Sequence, residues 1–436
     1  DGSRSGTNNY YSRNFQFTAG VNLDLDRALK GLSFKTMVGV DYATEYNTYF
    51  EDQYAVYQPE WSEFNGKKEI TGLTKIGKDE HTGNQNVGGS SYTQTIAFNA
   101  HFDYDRSFGD HNVNAMALVN GYQQTISGQY HGITNANLGL SADYNYAHKY
   151  YLQLAGAVVQ SAKLAEGHRQ SLDYSATAGW NLAKEEFMQS LDFIDNLKIR
   201  AGYGQTANQA ISPYTTLGTL GTTPYNFGDL GTPSYETGYY ISKLPNPELG
   251  WEYSETYNFG VDFSLFKGRL SGTLEYYVMN TNDILLNVSL PSTSGVGSYT
   301  ANIGKTQNKG FEATINGIII ENKNGWTWEA GLNLSLNRNK LVELADGNKK
   351  DEGNGWVVGH PIDVLYDYEK VGLWNSDDPD FKYLDILEPG GNEGMIKVKY
   401  TGERDAEGKP VRAIGPDDRQ IISLEPDFVG GFNTRV

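Results

Sequence analysis

Residues 255–277, ETYNFGVDFSLFKGRLSGTLEYY, alternate apolar and polar side chains almost without a break. Side chains along a strand point to opposite faces with a period of two. Tyr257, Phe259, Val261, Phe263 and Leu265 therefore share one face, while Asn258, Gly260, Asp262 and Ser264 share the other. Lys267-Gly268 reverses the chain, and Leu270, Gly272, Leu274 and Tyr276 then oppose Ser271, Thr273 and Glu275, completing a tightly connected hairpin. Residues 14–25 repeat the pattern without an error, with Phe15, Phe17, Ala19, Val21, Leu23 and Leu25 on one face. Each arm outlasts the about 5–6 residues of an ordinary globular strand.

The same alternation predicts strands at 10–25, 32–50, 91–105, 111–124, 132–147, 150–161, 171–183, 197–206, 251–265, 270–285, 305–320 and 326–340. The connections have a parity. Those after odd strands are mostly short (26–31, 106–110, 148–149, 266–269, 321–325, with 184–196 longer), and those after even strands are mostly long (51–90, 125–131, 162–170, 207–250, 286–304 and everything from 341). Bulky loops thus leave one end only, the layout of an outer-membrane barrel and one a soluble sandwich has no reason to adopt. The expected fold is all-β: an antiparallel up-and-down transmembrane β-barrel, with about 12–14 strands in this stretch of chain. Strands of this length also exceed the roughly 9–11 tilted residues that cross a bilayer.

Composition agrees. Apolar content of 38% is low for a thick core, whereas 31 Tyr, 18 Phe and 50 Gly suit strands joined by tight turns. No purely aliphatic run is longer than that of Ile318-Ile319-Ile320, far too short for a spanning helix. Trp180, Trp251, Trp326 and Trp328, with Tyr144, Tyr146, Tyr150 and Tyr151, are expected to form aromatic girdles at the two interfaces. A net charge of −18 argues against a nucleic-acid groove. The absence of cysteine excludes disulfides and thiolate metal sites.

Several collinear segments resemble a known family. LPNPELGWEYSETYNFGVDFSLFKGRLSGTLEYYVMNTNDILL (244–286) and LPSTSGVGSYTANIGKTQNKGFEATING (290–317) resemble the barrel of SusC/RagA-like TonB-dependent outer-membrane transporters. The Asn-Pro-x-Leu-x-Trp-Glu run, the Thr-x-Asp-x-Leu strand end, the Leu-Pro…Gly loop and the Asn-x-Gly-Phe-Glu strand start follow in the family's order. AGWNLAKEEFMQSLDFIDNLKIRAGYGQTAN (178–208), GHPIDVLYDYEKVGLW (359–374) and IGPDDRQIISLEPDFVGGFN (414–433) extend the likeness. One stretch departs from it: YTGERDAEGKPVRAIGPDDR (400–419) lacks the oxygen spacing of a calcium loop, so no ion is inferred. The resemblance implies that residues 1–436 are part of a TonB-dependent receptor β-barrel domain, a partial barrel of about 12–14 strands of a larger barrel, with plug domain and C-terminal strands absent.

Enzymatic chemistry finds little footing. The seven histidines, at 81, 101, 111, 131, 148, 168 and 360, have no zinc-site spacing. GYGQTAN (202–208) lacks the third glycine of a phosphate loop, and no Gly-x-Ser-x-Gly elbow exists. Glu185-Glu186 and Asp377-Asp378 read as solvated loop charges. No catalytic residue, cofactor or metal is expected. The resemblance implies active import of oligosaccharides, or peptides, across the outer membrane of a Gram-negative bacterium. Its implied partners are a SusD-like surface lipoprotein, the TonB complex acting through the plug region, and outer-membrane lipid. Tyr214, Tyr225, Tyr235, Tyr239 and Tyr240, aromatic rings in a long loop, are the candidate ligand contacts, with loop packing the competing role of each. The alternatives are a passive porin and a soluble carbohydrate-binding or adhesin β-protein.

Overall fold

A computed structural model describes residues 8–436 apart from 51, 65, 82–84, 130–131, 210, 213, 229–233, 324, 345–346 and 352–353. Thirteen strands form one sheet: β1 (Asn8–Asp24), β2 (Leu32–Tyr49), β3 (Asn86–Phe108), β4 (His111–Ile126), β5 (Ile133–Tyr146), β6 (Tyr150–Ser161), β7 (Gln170–Asn181), β8 (Ile194–Asn208), β9 (Glu252–Leu265), β10 (Leu270–Ser289), β11 (Ser298–Lys323), β12 (Trp326–Glu343) and β13 (Val429–Arg435). Their order in the sheet is their order in the chain, an up-and-down meander. All twelve expected strands are present, and the thirteenth lies beyond the long region after 341. Within the sheet β1 pairs with β2 alone and β13 with β12 alone, so the barrel is partial.

Loop parity holds. Connections 25–31, 109–110, 147–149, 182–193, 266–269 and 324–325 leave one end, and 50–85, 127–132, 162–169, 209–251, 290–297 and 344–428 leave the other. The 290–297 connection is shorter than the sequence suggested because β10 and β11 run on past the 270–285 and 305–320 cores, reaching 20 and 26 residues. Three of the long connections carry structure of their own: hairpin 56–64/67–76, hairpin 219–226/235–243, and a folded insert between β12 and β13.

By contact density the chain divides into two units, 1–106 with 114–141 and 157–162, and 107–113 with 142–156 and 163–436. In the first unit, β1 pairs with β2 over its whole length, from Asn8↔Tyr49 to Asp24↔Ser33. Its turn depends on Gly31, which adopts φ 89°. Gly31 donates its N–H to Asp26 Oδ1 at 2.7 Å and accepts from the Asp105 N–H at 2.9 Å. A Cβ there would lie 2.2 Å from the Asp105 carbonyl oxygen. Gly31→Ala is expected to cost about 2 kcal/mol or more, combining left-handed strain with a displaced backbone hydrogen bond. Gly109→Ala is the control, since Gly109 has φ 59° but open space around it. A denaturation midpoint that falls no further for Gly31→Ala than for Gly109→Ala would contradict the close approach.

In the second unit the register sorts every side chain. Rows of paired residues on one face read Leu197/Phe263/Gly272/Ile315/Leu332, then Ile199/Val261/Leu274/Ala313/Leu334, then Ala201/Phe259/Tyr276/Phe311/Leu336. Many of these residues are exposed, Phe259 at 54% and Tyr276 at 45%, and none of the described residues covers them. This is the lipid face. On β9 it spans Tyr257 to Leu265 and stops at Glu255, which matches the roughly 9–11 residues of a crossing strand. The band slants. On β7 it runs from Leu172 to Trp180, whereas on β11 it ends at Phe311 and gives way to Lys309. Tilted strands require such an offset, because a row of paired residues is not parallel to the membrane.

Aromatic girdles bound the band, with two corrections to the expected set. At the short-turn end Trp180 stacks on Tyr150 at 6.4 Å, Tyr146 meets His111 at 5.0 Å, Tyr144 accepts or donates a 2.7 Å hydrogen bond with His111, and Trp326 and Trp328 are exposed. Tyr151 is not in the girdle. It follows Tyr150 and must point to the opposite face, where the Lys198 ammonium lies 3.9 Å from its ring centre. Trp251 is not either: it is 5% exposed and its indole N–H donates to the His168 carbonyl at 2.9 Å. The long-loop girdle comes instead from Tyr174, Tyr203 and Tyr257, whose ring centres stand 6.0 and 4.8 Å apart.

Candidate functional site

The face opposite the lipid band is polar and internally hydrogen-bonded. Arg200 on β8 is its hub: Nε donates to Asp262 Oδ2 at 3.2 Å, Nη1 to Asn258 Oδ1 at 3.2 Å, and Nη2 to Glu275 Oε1. Asn258 Nδ2 reaches the other Glu275 oxygen at 3.2 Å, and Thr273 Oγ1 donates to Asp262 Oδ1 at 3.0 Å. The guanidinium lies flat across Gly260, where a Cβ would meet Cζ at 2.5 Å. A glycine in mid-strand is thus explained by close approach. Further along, Tyr277 donates to Asn337 Oδ1 at 3.2 Å, and Asn337 and Asn339 both donate to Asn308 Oδ1, at 3.3 and 2.9 Å. A small cavity of about 180 Å³ on this face is lined by Asp143, Asn145, Tyr151, Gln153, Lys198 and Arg200 among others. The larger hollow, about 970 Å³, is lined mainly by Trp180, Ile199, Phe259, Val261, Tyr276 and Phe311 and belongs to the lipid face.

At the long-loop end the Asn-Pro-x-Leu-x-Trp-Glu run is a clamp. Asn246 donates to the Thr300 carbonyl at 2.8 Å, the Gly250 N–H to Asn302 Oδ1 at 2.8 Å, and Asn302 in turn to the Asp283 carbonyl at 2.8 Å. Glu252 accepts from the Leu285 N–H at 2.7 Å and from Asn208 Nδ2 at 2.9 Å. Leu249 is fully buried. These residues fix the roots of the 209–251 and 290–297 connections.

Above the clamp, the 219–226/235–243 hairpin gathers four of the five candidate tyrosines and splits them between two faces. Tyr225 pairs with Glu236 and Gly221 with Tyr240, so Tyr225 and Tyr240 share a face. Their rings cover Gly238 and Gly221, where a Cβ would sit 2.0 and 2.5 Å from ring carbons. Tyr239, opposite Thr222, and Tyr235, opposite Asn226, occupy the other face with Leu220 and Ile241. Tyr235 and Tyr239 are 65% and 70% exposed. Tyr214 lies outside the hairpin, in left-handed conformation (φ 66°) before the turn Thr215–Leu217.

The insert at 344–428 has its own small core of Trp374, Leu384 and Leu387, with Phe381, Tyr383, Tyr400 and Ile414 against it. Strand 364–368 pairs with 419–423, and 370–373 with 396–398. One carboxylate of each pair named in the sequence, Asp378 and Glu185, serves as a structural anchor. Asp378 is clasped by Lys397 Nζ at 2.5 Å, and that hydrogen bond, with one from the Asp380 N–H, holds its carboxyl below the usual range. Glu185 accepts from Trp180 Nε1 at 3.0 Å and Tyr150 Oη at 2.7 Å, which lowers its carboxyl likewise and ties the 182–193 turn to the girdle.

Residues 1–390 match the family model described as TonB dependent receptor-like, beta-barrel. The chain belongs to the TonB-dependent receptor barrel family. TonB-dependent receptor P3 of Formosa agariphila is 30% identical over 410 residues, covering 83% of this chain and 40% of that protein. TonB-dependent receptor SusC of Bacteroides thetaiotaomicron is 29% identical over 253 residues, covering 52% of this chain and 24% of that one. In fold, the chain is similar to the solved RagAB peptide transporter, with TM-score 0.74 at 19% identity over 99% of this chain and 46% of that one. This chain thus spans under half the length of these relatives. Such receptors reside in the outer membrane of Gram-negative bacteria, so the long loops face outside and the short turns the periplasm.

Proposed function

We propose that residues 1–436 supply part of the barrel domain of an active importer that takes oligosaccharides, or peptides, across the outer membrane. In this reading a SusD-like lipoprotein covers the long-loop rim, and TonB supplies energy through a plug encoded outside these residues. One observation carries it: a lumenal wall of amide, hydroxyl and ion-paired side chains, centred on Arg200, rises to a rim hairpin with exposed aromatic rings on both faces. Amides and hydroxyls suit sugar hydroxyls and peptide groups alike, and tyrosine rings suit the apolar faces of pyranoses. The peptide alternative is kept because the RagAB neighbour is described as a peptide transporter. The soluble alternative is set aside, since the exposed apolar band of β7–β12 would aggregate in water.

Uptake of labelled oligosaccharide and peptide mixtures, compared between the parent bacterium and a strain lacking the gene, tests the reading. Loss of one class of uptake, abolished in the parent by a protonophore, is the expected result. Uptake that survives the protonophore would make the protein a passive porin. Tyr235→Ala with Tyr239→Ala is expected to weaken uptake severalfold at low ligand concentration, and unchanged uptake would remove that face of the hairpin from the ligand path.

A further inference from the structure

Just beyond Phe311 and Leu336, toward the long loops, the outward face of β11 and β12 changes character in one step. Lys309 stands directly opposite Arg338, and Lys340 follows two residues on, opposite Gln307. All three are exposed. Like charges directly opposite one another on a sheet repel, and in a chain of net charge −18 such a cluster is not a by-product of basic composition. Arg338 is answered by Asp427, whose Oδ1 and carbonyl oxygen accept at 3.1 and 2.9 Å. Lys305, further out, pairs with Glu343 at 2.8 Å. Among the described residues Lys309 and Lys340 form no ion pair. On the lumenal face at the same height stand Tyr277, Asn308, Gly310 and Asn337, with no cation.

We infer that Lys309, Arg338 and Lys340 form a docking point for the phosphorylated headgroup of an outer-leaflet lipid. Their position fits this partner. They lie one residue pair past the apolar band, on the surface that meets lipid, at the depth of the headgroups, where each cation favours an anionic lipid. An anion seated between Lys309 and Arg338 would relieve their repulsion and leave the Asp427 contact in place. The inference rests on the barrel reading of the fold and is independent of the cargo.

Native mass spectrometry of the protein extracted from the outer membrane tests it, with bisphosphorylated lipid A and its fully dephosphorylated form as probes. The phosphorylated lipid should bind and the dephosphorylated one bind far more weakly. Lys309→Gln with Lys340→Gln should lower affinity about tenfold or more, while Lys309→Arg with Lys340→Arg should retain it. Heat-modifiable gel mobility reports whether each variant is folded, and a folding failure in the glutamine pair leaves the two-lipid comparison and the arginine pair to decide. Equal affinity for both lipids, unchanged affinity in the folded glutamine pair, or full displacement by equimolar inorganic phosphate would overturn the assignment. Uptake unchanged in the strain lacking the gene, with lipid binding intact in the purified protein, would count against the transport reading alone.

Discussion

Asp418→Ala should unfold the 364–424 part of the insert while the barrel strands stay paired. Asp418 is fully buried and receives five hydrogen bonds: from the Thr401 N–H at 2.7 Å, Thr401 Oγ1 at 2.9 Å, the Gly415 N–H at 2.9 Å, and Arg412 Nη1 and Nη2 at 2.5 and 3.1 Å. Removing one partner of a buried pair typically costs about 3–5 kcal/mol, and the partly exposed Arg412 side chain puts this site toward the lower end. A core of three large buried side chains offers little reserve against such a loss. Burial pushes the Asp418 carboxyl up, but the bonds from Arg412, Thr401 and Gly415 outweigh it and hold the group well below the usual carboxylate range. The stabilisation is therefore fully present above the unfolded carboxylate value of about 4 and is lost as pH falls through the lower folded value. Hydrogen exchange in the insert should accelerate in Asp418→Ala at neutral pH and in the native protein only in strong acid. Unchanged protection in the variant would show that the Trp374 core suffices alone.

Val261→Arg should destabilise the inserted barrel by about 2–4 kcal/mol, the range for a lipid-facing cation near mid-bilayer. Val261 sits between Ile199 and Leu274 in the middle row of the apolar band. Its neighbour Asp262 faces the lumen, where Asn could still accept from Thr273 while Arg200 keeps Glu275 and Asn258. Asp262→Asn is thus expected to cost only about 1 kcal/mol. Equilibrium unfolding in lipid vesicles compares the two, and a larger cost at Asp262 would invert the assigned faces.

Much of this was legible in the sequence because a barrel strand states its own orientation. The period of two in residues such as 14–25 and 255–277 gives both the strand and its faces, and short turns such as 266–269 give the hairpin partner. Pairing between strands was less visible. The Arg200 hub needs the register that sets Arg200 beside Gly260 and Glu275, and the only local hint was a mid-strand glycine. Residue type alone does not separate Tyr150 from Tyr151, although neighbours in a strand must face opposite ways. Trp251 precedes β9 and escapes that rule, so its burial was set by His168 and the clamp. The tyrosine hairpin carries no strand signal in the sequence because Gly221, Pro224 and Gly238 interrupt its alternation. The insert core joins Trp374 to Leu384 and Leu387 through turns and one helical turn, with no period to follow.

As a transmembrane barrel strand, β9 sets its odd residues in lipid and its even residues in a polar lumen. Residues 1–436 contain no cysteine, so once any cysteine outside them is replaced, single cysteines at positions 257 to 264 carry the only spin label. Power saturation of the labelled protein in lipid vesicles should alternate, with oxygen the dominant relaxant at 257, 259, 261 and 263 and a water-soluble nickel chelate dominant at 258, 260, 262 and 264. Lipid-type accessibility at the even positions, or no alternation at all, would contradict the account.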